Sequence, residues 1–76
     1  MDRLPVKSSH IASIGHEGTT LEVEYASGVV YRYTGVDADQ FSGILSGESV
    51  GRGLRQAIHQ EGVVGSKVVP EVIEQL

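Results

Sequence analysis

Between Ser9 and Thr34 apolar and polar residues alternate with a period of two, the pattern of half-buried strands. Three stretches carry it: His10-Ile11-Ala12-Ser13-Ile14, Leu21-Glu22-Val23-Glu24-Tyr25 and Val29-Val30-Tyr31-Arg32-Tyr33. Gly18 and Gly28 stand where the chain must reverse, so the spacing predicts an antiparallel meander. A three-residue loop at Ala26-Ser27-Gly28, with Gly28 left-handed, pairs Tyr25 with Val29, Val23 with Tyr31 and Leu21 with Tyr33. Glu22 then lies across from Arg32, a favourable cross-strand pair. A two-residue loop would set Arg32 against Val23 and mix the faces. A first turn at Glu17-Gly18 sets Ile14 against Leu21 and Ala12 against Val23. The expected buried face is Ala12, Ile14, Leu21, Val23, Tyr25, Val29, Tyr31 and Tyr33. Ile11, Ser13, Glu22, Glu24, Val30, Arg32 and Thr34 make up a mixed opposite face.

After Thr34 the period becomes helical. Asp37 is a good N-cap, and Gln40 completes a capping-box pair. Ala38, Phe41 and Leu45 follow at helical spacing until Gly47 stops the helix. Ser49 caps a second helix to about Gln60, ended by Gly62, whose Val50, Leu54, Ala57 and Ile58 form one apolar stripe. Gly51 and Gly53 each weaken that helix by up to about 1 kcal/mol relative to alanine, so they ask for a reason. The tail beyond Gly62 carries Val63-Val64 and Val68-Val69, and Pro70 with Glu71 suits the start of a final helical turn edged by Val72, Ile73 and Leu76. The expected architecture is α+β: a small antiparallel three-stranded meander, two short helices and an apolar C-terminal tail. Residues 6–60 read as one domain, and residues 61–76 as an extension for oligomerisation or packing.

Composition adjusts this picture. The 76 residues admit one small domain, and a chain of this length buries only about 60% of its unfolded surface. There is no cysteine, hence no disulfide and no zinc-type Cys/His spacing. An economical core or an oligomer is left. The net charge of -4 argues against gripping nucleic acid by bulk charge. No apolar run approaches the ~18 residues of a membrane span, and the N-terminus lacks a signal-peptide pattern, so a cytoplasmic protein without a membrane partner is expected.

The string Val6-Lys7-Ser8-Ser9-His10-Ile11-Ala12-Ser13-Ile14-Gly15, followed by Leu21-Glu22-Val23-Glu24-Tyr25 and Ser27-Gly28-Val29-Val30-Tyr31-Arg32-Tyr33, resembles the KTSC domain. Val36 and the Ser49-Val50-Gly51-Arg52 segment continue the likeness, which spans about Val6 to Gln60. The family takes its name from the C-terminus of some lysyl-tRNA synthetases and also occurs as free-standing bacterial and phage proteins. The resemblance therefore implies two things: a link to tRNA, or a small sponge that captures nucleotide immune signals in phage anti-defence, acting in the host cytoplasm if phage-encoded. This chain departs from the family after Gly-Arg, where Gly53-Leu54 and Arg55-Gln56-Ala57 replace the usual aromatic pair and the Asn/Arg/His-rich end.

The residues themselves offer one leading site. A helix N-terminus at Ser49 presents free N–H groups and partial positive charge to a phosphate. Gly51 and Gly53 permit close approach, and Arg52 adds a fork of donors. The plainer reading makes Ser49 a cap and the glycines packing contacts, with Glu48 repelling an anion. Arg52, Arg55, Gln56 and His59 share the face opposite the apolar stripe, either a basic strip or a solvated helix side. Tyr25, Tyr31 and Tyr33 either stack on a base or belong to the core with hydroxyls at its rim. Ser9 and His10 point to opposite strand faces and form no nucleophile–base pair. His10 and His16 lie roughly 20 Å apart along a strand and share no metal.

The expectation is a non-enzymatic homo-oligomer without cofactor or metal that sequesters a small anionic, nucleotide-type ligand. Ser49, Arg52 and Arg55 would meet phosphate, and Tyr31, Tyr33 and Ser9 the base or ribose. The alternatives are an RNA- or tRNA-binding accessory module, or a protein–protein adaptor using the mixed sheet face or the tail.

Overall fold

The computed structural model describes residues 1–68. The expected helical turn at Pro70-Glu71, with Val72, Ile73 and Leu76, lies outside the described residues. The elements are β1 (Leu4–Pro5), β2 (Ile11–Glu17), β3 (Thr20–Tyr25), β4 (Val30–Thr34), α1 (Ala38–Ser46), α2 (Val50–Ile58) and β5 (Val64–Val68). The strands form one antiparallel sheet in the order β1-β2-β3-β4-β5. The α+β class holds, but among the described residues the sheet has five strands where the sequence pattern suggests three. β1 is too short to show alternation, and the Gly65-Ser66-Lys67 interior of β5 hides its period.

The β3–β4 hairpin has the expected register, with Leu21 opposite Tyr33, Glu22 opposite Arg32 and Val23 opposite Tyr31. Gly28 is left-handed at φ 95°, and Tyr25 N–H donates to the Val29 carbonyl across the three-residue loop at 2.8 Å.

The β2–β3 hairpin differs from expectation in two ways. Its turn is Gly18-Thr19, so Glu17 pairs with Thr20, His16 with Leu21 and Ile14 with Val23. Gly18 has φ 65° and Thr19 a negative φ, the arrangement of a type II′ turn, which favours glycine at its first central position. Further along, a register shift between Ile11 and Ser13 breaks the alternation. Ile11 and Ile14 both turn inward and Ala12 is exposed, the reverse of the face expected for Ile11 and Ala12. The physical reason is the payload: an isoleucine buries about three more methyl or methylene groups than an alanine, each contributing about 0.8 kcal/mol.

Both helices cover the same sheet face. Ile44 of α1 with Leu54 and Ala57 of α2 join Ile11, Ile14, Leu21, Val23, Tyr33 and Val36 in one core cluster. Asp37 and Gln40 form the full capping box, each side chain accepting a backbone N–H at 2.8 Å. Gly47 caps the C-terminus as expected, and α2 stops at Ile58, two residues short of Gln60. Gly53 lies where α1 and α2 cross, since a Cβ there would sit 3.3 Å from Ile44 Cα. At the far end of β2, His16 Nε2–H donates to the Val36 carbonyl at 2.7 Å, and its ring stacks on Phe41 at 4.9 Å.

The opposite face has its own anchor. Glu22 is buried there and accepts from Arg3 Nη1 at 2.8 Å and from Arg32 Nε at 2.7 Å. Burial pushes its carboxyl upward, but the two guanidiniums, Arg32 foremost, outweigh this and hold it below the usual carboxylate range. Arg3 reaches Glu22 because residues 2 and 3 run directly over Gly15, where any Cβ would strike the Asp2 carbonyl. Among the described residues no helix is long and apolar enough to cross a membrane.

Candidate functional site

The segment between β1 and β2 passes the N-terminus of α2, and the two border a polar cleft of about 350 Å³. Lys7, Ser8, Ser9 and His10 line one wall, and Glu48, Ser49, Val50, Arg52 and Arg55 the other. Four of the six residues expected to bind ligand therefore meet here: Ser9, Ser49, Arg52 and Arg55.

Local structure explains the convergence. Ser49 is extended and caps α2, its Oγ accepting the Arg52 N–H at 3.1 Å. The first turn of α2 thus aims its remaining amide groups and the positive end of its dipole into the cleft. Arg52 and Arg55, three residues apart, rise on the exposed side of the helix while Leu54 and Ala57 point to the core. Gly51 lies beside two of the lining hydroxyls: a Cβ there would lie 3.6 Å from Ser8 Oγ and 3.9 Å from Ser49 Oγ. The glycine pair in this helix accordingly divides its roles, Gly53 at the helix crossing and Gly51 beside the Ser8 and Ser49 hydroxyls. Ser8 Oγ also accepts the His10 N–H at 3.3 Å, which curls the Lys7–His10 segment toward the helix.

The electrostatic balance inside the cleft is opposite to that of the whole chain. Three cationic side chains, Lys7, Arg52 and Arg55, face one carboxylate, Glu48. Among the described residues the ion pairs are those of Glu22 with Arg3 and Arg32, so none of the three cations is neutralised by a described carboxylate. Hydroxyls of Ser8, Ser9 and Ser49 complete a set of donors suited to an oxyanion.

Tyr31 and Tyr33 are not part of this cleft. Tyr33 is buried among the core residues, with its hydroxyl 2.8 Å from that of Tyr25. Tyr31 stacks on Tyr33 at 6.0 Å and meets Tyr25 edge-on, also at 6.0 Å. Burial, and then the Tyr25 hydroxyl, push the Tyr33 phenol above its ordinary value, which suits a structural hydroxyl. Lys7 and His10 also line the cleft without being among the ligand contacts expected from sequence, although Lys7 stands beside Ser8 and Ser9. The signal was available in the Lys7-Ser8-Ser9-His10 run, a cation and hydroxyls just before a strand.

A second concavity of about 330 Å³ lies on the outer sheet face, between Arg3 and Glu22 on one side and Val29, Val30 and Val68 on the other. Arg3 and Glu22 are bonded to each other there, and Lys67 is the remaining charged residue of a lining otherwise made of Gly28 and the three valines.

The profile of the KTSC domain matches residues 7–61, more than half of the chain and including every residue lining the polar cleft. The chain belongs to the KTSC domain family. An uncharacterized protein of Stutzerimonas stutzeri (strain A1501) is 38% identical to this KTSC chain over 58 residues, 74% of this chain and 82% of the relative. The crystal structure of a KTSC domain protein from Yersinia pestis matches it with a TM-score of 0.78 at 28% identity, covering 90% of this chain and 97% of that one. In this KTSC domain, β1 precedes the matched residues and β5 follows them.

Proposed function

We propose that this KTSC protein is a binding protein that sequesters a small phosphate-bearing ligand of nucleotide type in the cleft at the start of α2, without transforming it. The observation that carries the reading is the meeting of Lys7, Arg52 and Arg55 with the α2 N-terminus and three serine hydroxyls in one cleft. A few placed donors suffice for a small anion, so the net charge of -4 is no obstacle. Arginine in particular offers a planar fork that matches two phosphate oxygens at once. At about 350 Å³ the cleft sits near the lower end of the ~300–1,000 Å³ usual for small-molecule sites. Its polar lining favours a charged headgroup over an apolar body. With Tyr31 and Tyr33 in the tyrosine cluster, base contacts fall to Ser9 and His10 on the wall of the cleft.

The test is a thermal-shift panel at low salt with a cyclic dinucleotide, ADP-ribose, AMP and inorganic phosphate, with a tRNA gel shift alongside. A probe at 100 times its Kd stabilises by about 2.7 kcal/mol, which raises Tm by about 10–20 °C in a domain of this size. Arg52→Ala removes a charge-assisted hydrogen bond of about 1.5–3 kcal/mol and lowers affinity about 10- to 100-fold. No shift with any nucleotide probe refutes the proposal. Salt-dependent binding of tRNA alone replaces it with the accessory RNA-binding role.

A further inference from the structure

The two edges of the sheet are unlike. β1 offers two residues, one of them Pro5, which has no N–H to donate, so that edge is blunt. β5 runs for five residues without proline, in regular register with β4 from Val30↔Val68 to Thr34↔Val64. Its outer side presents backbone N–H and C=O groups that no described strand pairs. Val64 on this edge is 65% exposed, and Lys67 is the one charged residue within β5. Open edges of this kind recruit another strand unless something covers them.

We propose that a second copy of this chain covers the edge, β5 pairing antiparallel with the β5 of its partner about a two-fold axis at Ser66. A two-fold contact requires a self-complementary surface, and Val64-Gly65-Ser66-Lys67-Val68 has that property. With Ser66 opposite the partner's Ser66, Val64 meets the partner's Val68 and Gly65 meets the partner's Lys67. The outer face then carries two Val–Val pairs flanking a Ser–Ser pair. Each Val68 already neighbours Val30 within its own sheet, so the apolar strip continues across the axis.

Charge selects the same register. Each lysine is set against a glycine instead of the other lysine, which avoids a directly opposed like-charge pair. The glycine is also where an aromatic face is available: a Cβ at Gly65 would lie 2.5 Å from Tyr33 Cε1, so the Tyr33 ring covers that position. A lysine arriving opposite Gly65 brings its ammonium to the Tyr33–Tyr31 stack, a cation–π contact. A slip of two residues one way opposes Lys67 to the partner's Lys67. The slip the other way pairs glycine with glycine and valine with serine. The dimer is one continuous sheet with the helices of both copies on one face, and it forms independently of any ligand in the cleft.

The test uses the full chain. Sedimentation velocity at tens of micromolar is expected to show a dimer. The protein has no cysteine, so Ser66→Cys supplies a lone thiol on the axis. Opposed residues of an antiparallel pair have Cα atoms about 4.5–5.5 Å apart, within disulfide range. Mild oxidation is expected to convert most of Ser66→Cys to covalent dimer, while Ser27→Cys, in the exposed β3–β4 loop, stays mostly monomeric. Val64→Asp is expected to raise the dimer dissociation constant at least 10-fold with the circular dichroism of the monomer retained. A protein that stays monomeric to hundreds of micromolar, with Ser66→Cys cross-linking no better than Ser27→Cys, overturns the proposal; this includes the case in which the chain's own last residues cover β5. A dimer that cross-links through Ser27→Cys and not Ser66→Cys overturns it equally, since its interface lies elsewhere.

Discussion

Gly15→Ala probes how the N-terminal residues are held against the sheet. The added methyl would strike the Asp2 carbonyl and lie 3.1 Å from Arg3 Cγ. A backbone carbonyl cannot swing aside as a flexible side-chain tip can, so residues 2–5 must lift. Lifting separates Arg3 from Glu22 and breaks the short β1–β2 ladder. A hydrogen bond to a charged group contributes about 1.5–3 kcal/mol when well shielded. The Arg3 side chain is 29% exposed, which brings the contribution down to about 1 kcal/mol. The ladder adds about 1 kcal/mol more. Against this, alanine gains about 0.4–1 kcal/mol over glycine by restricting the unfolded chain. The net is a loss of about 1–1.5 kcal/mol, or about 4–12 °C in Tm. Urea unfolding of wild type, Gly15→Ala, Arg3→Ala and the double variant tests the reasoning. Both substitutions release the same strap, so the double variant should lose little beyond Gly15→Ala, with a coupling of about 1 kcal/mol. A Gly15→Ala protein as stable as wild type, or losses that simply add, refutes it.

Other outcomes follow from the same contacts. Because the folded state holds the Glu22 carboxyl below its ordinary value of 4.5, its contribution is whole above about pH 4.5 and is lost as pH falls through the lower folded value; Glu22→Gln should flatten that part of an acid-unfolding curve. Tyr33→Phe removes the hydroxyl bonded to Tyr25 and should cost about 1 kcal/mol. The raised Tyr33 phenol stabilises the fold below its ordinary value near 10 and loses that contribution as pH rises toward the folded one, so the variant should lack the late phenolate absorbance step. Ser49→Ala removes the α2 cap and should cost about 1 kcal/mol, whereas Ser49→Asp keeps the cap and places a negative charge in the cleft. Denaturation should therefore separate alanine from aspartate, and ligand titration should show aspartate the weaker binder.

The parts of the fold that could be read in advance were those with strong local chemistry. The Ala26-Ser27-Gly28 loop, the Glu22–Arg32 pair and the Asp37–Gln40 box each rest on neighbours within one turn or one hairpin. The β2 face departs from the pattern because strict alternation places Ile11 and Ile14 on opposite faces. The irregularity between Ile11 and Ser13 brings both inward at the expense of Ala12, a choice made by the core and not by the strand. β1 could not be seen, since two residues have no period and its reason lies in Gly15 of another strand. In the candidate cleft, Ser49, Arg52 and Arg55 come together because one helix carries them, and Ser9 joins them through the path of the β1–β2 connection, which no local pattern reveals. Tyr31 and Tyr33 were grouped with them by chemical type, but alternate positions on β4 turn both rings toward the core side of the sheet.

Titrating ¹⁵N-labelled protein with ADP-ribose at low salt, and following the backbone amide signals, probes the proposed anion site at the start of α2 most directly. The expected result is a saturable set of shifts confined to residues 7–10 and 49–55, strongest at Gly51 and Arg52 and abolished by Arg52→Ala with Arg55→Ala. Shifts centred instead on Tyr31, Val30 and Val68, or saturable shifts in the cleft that survive loss of both arginines, would contradict it.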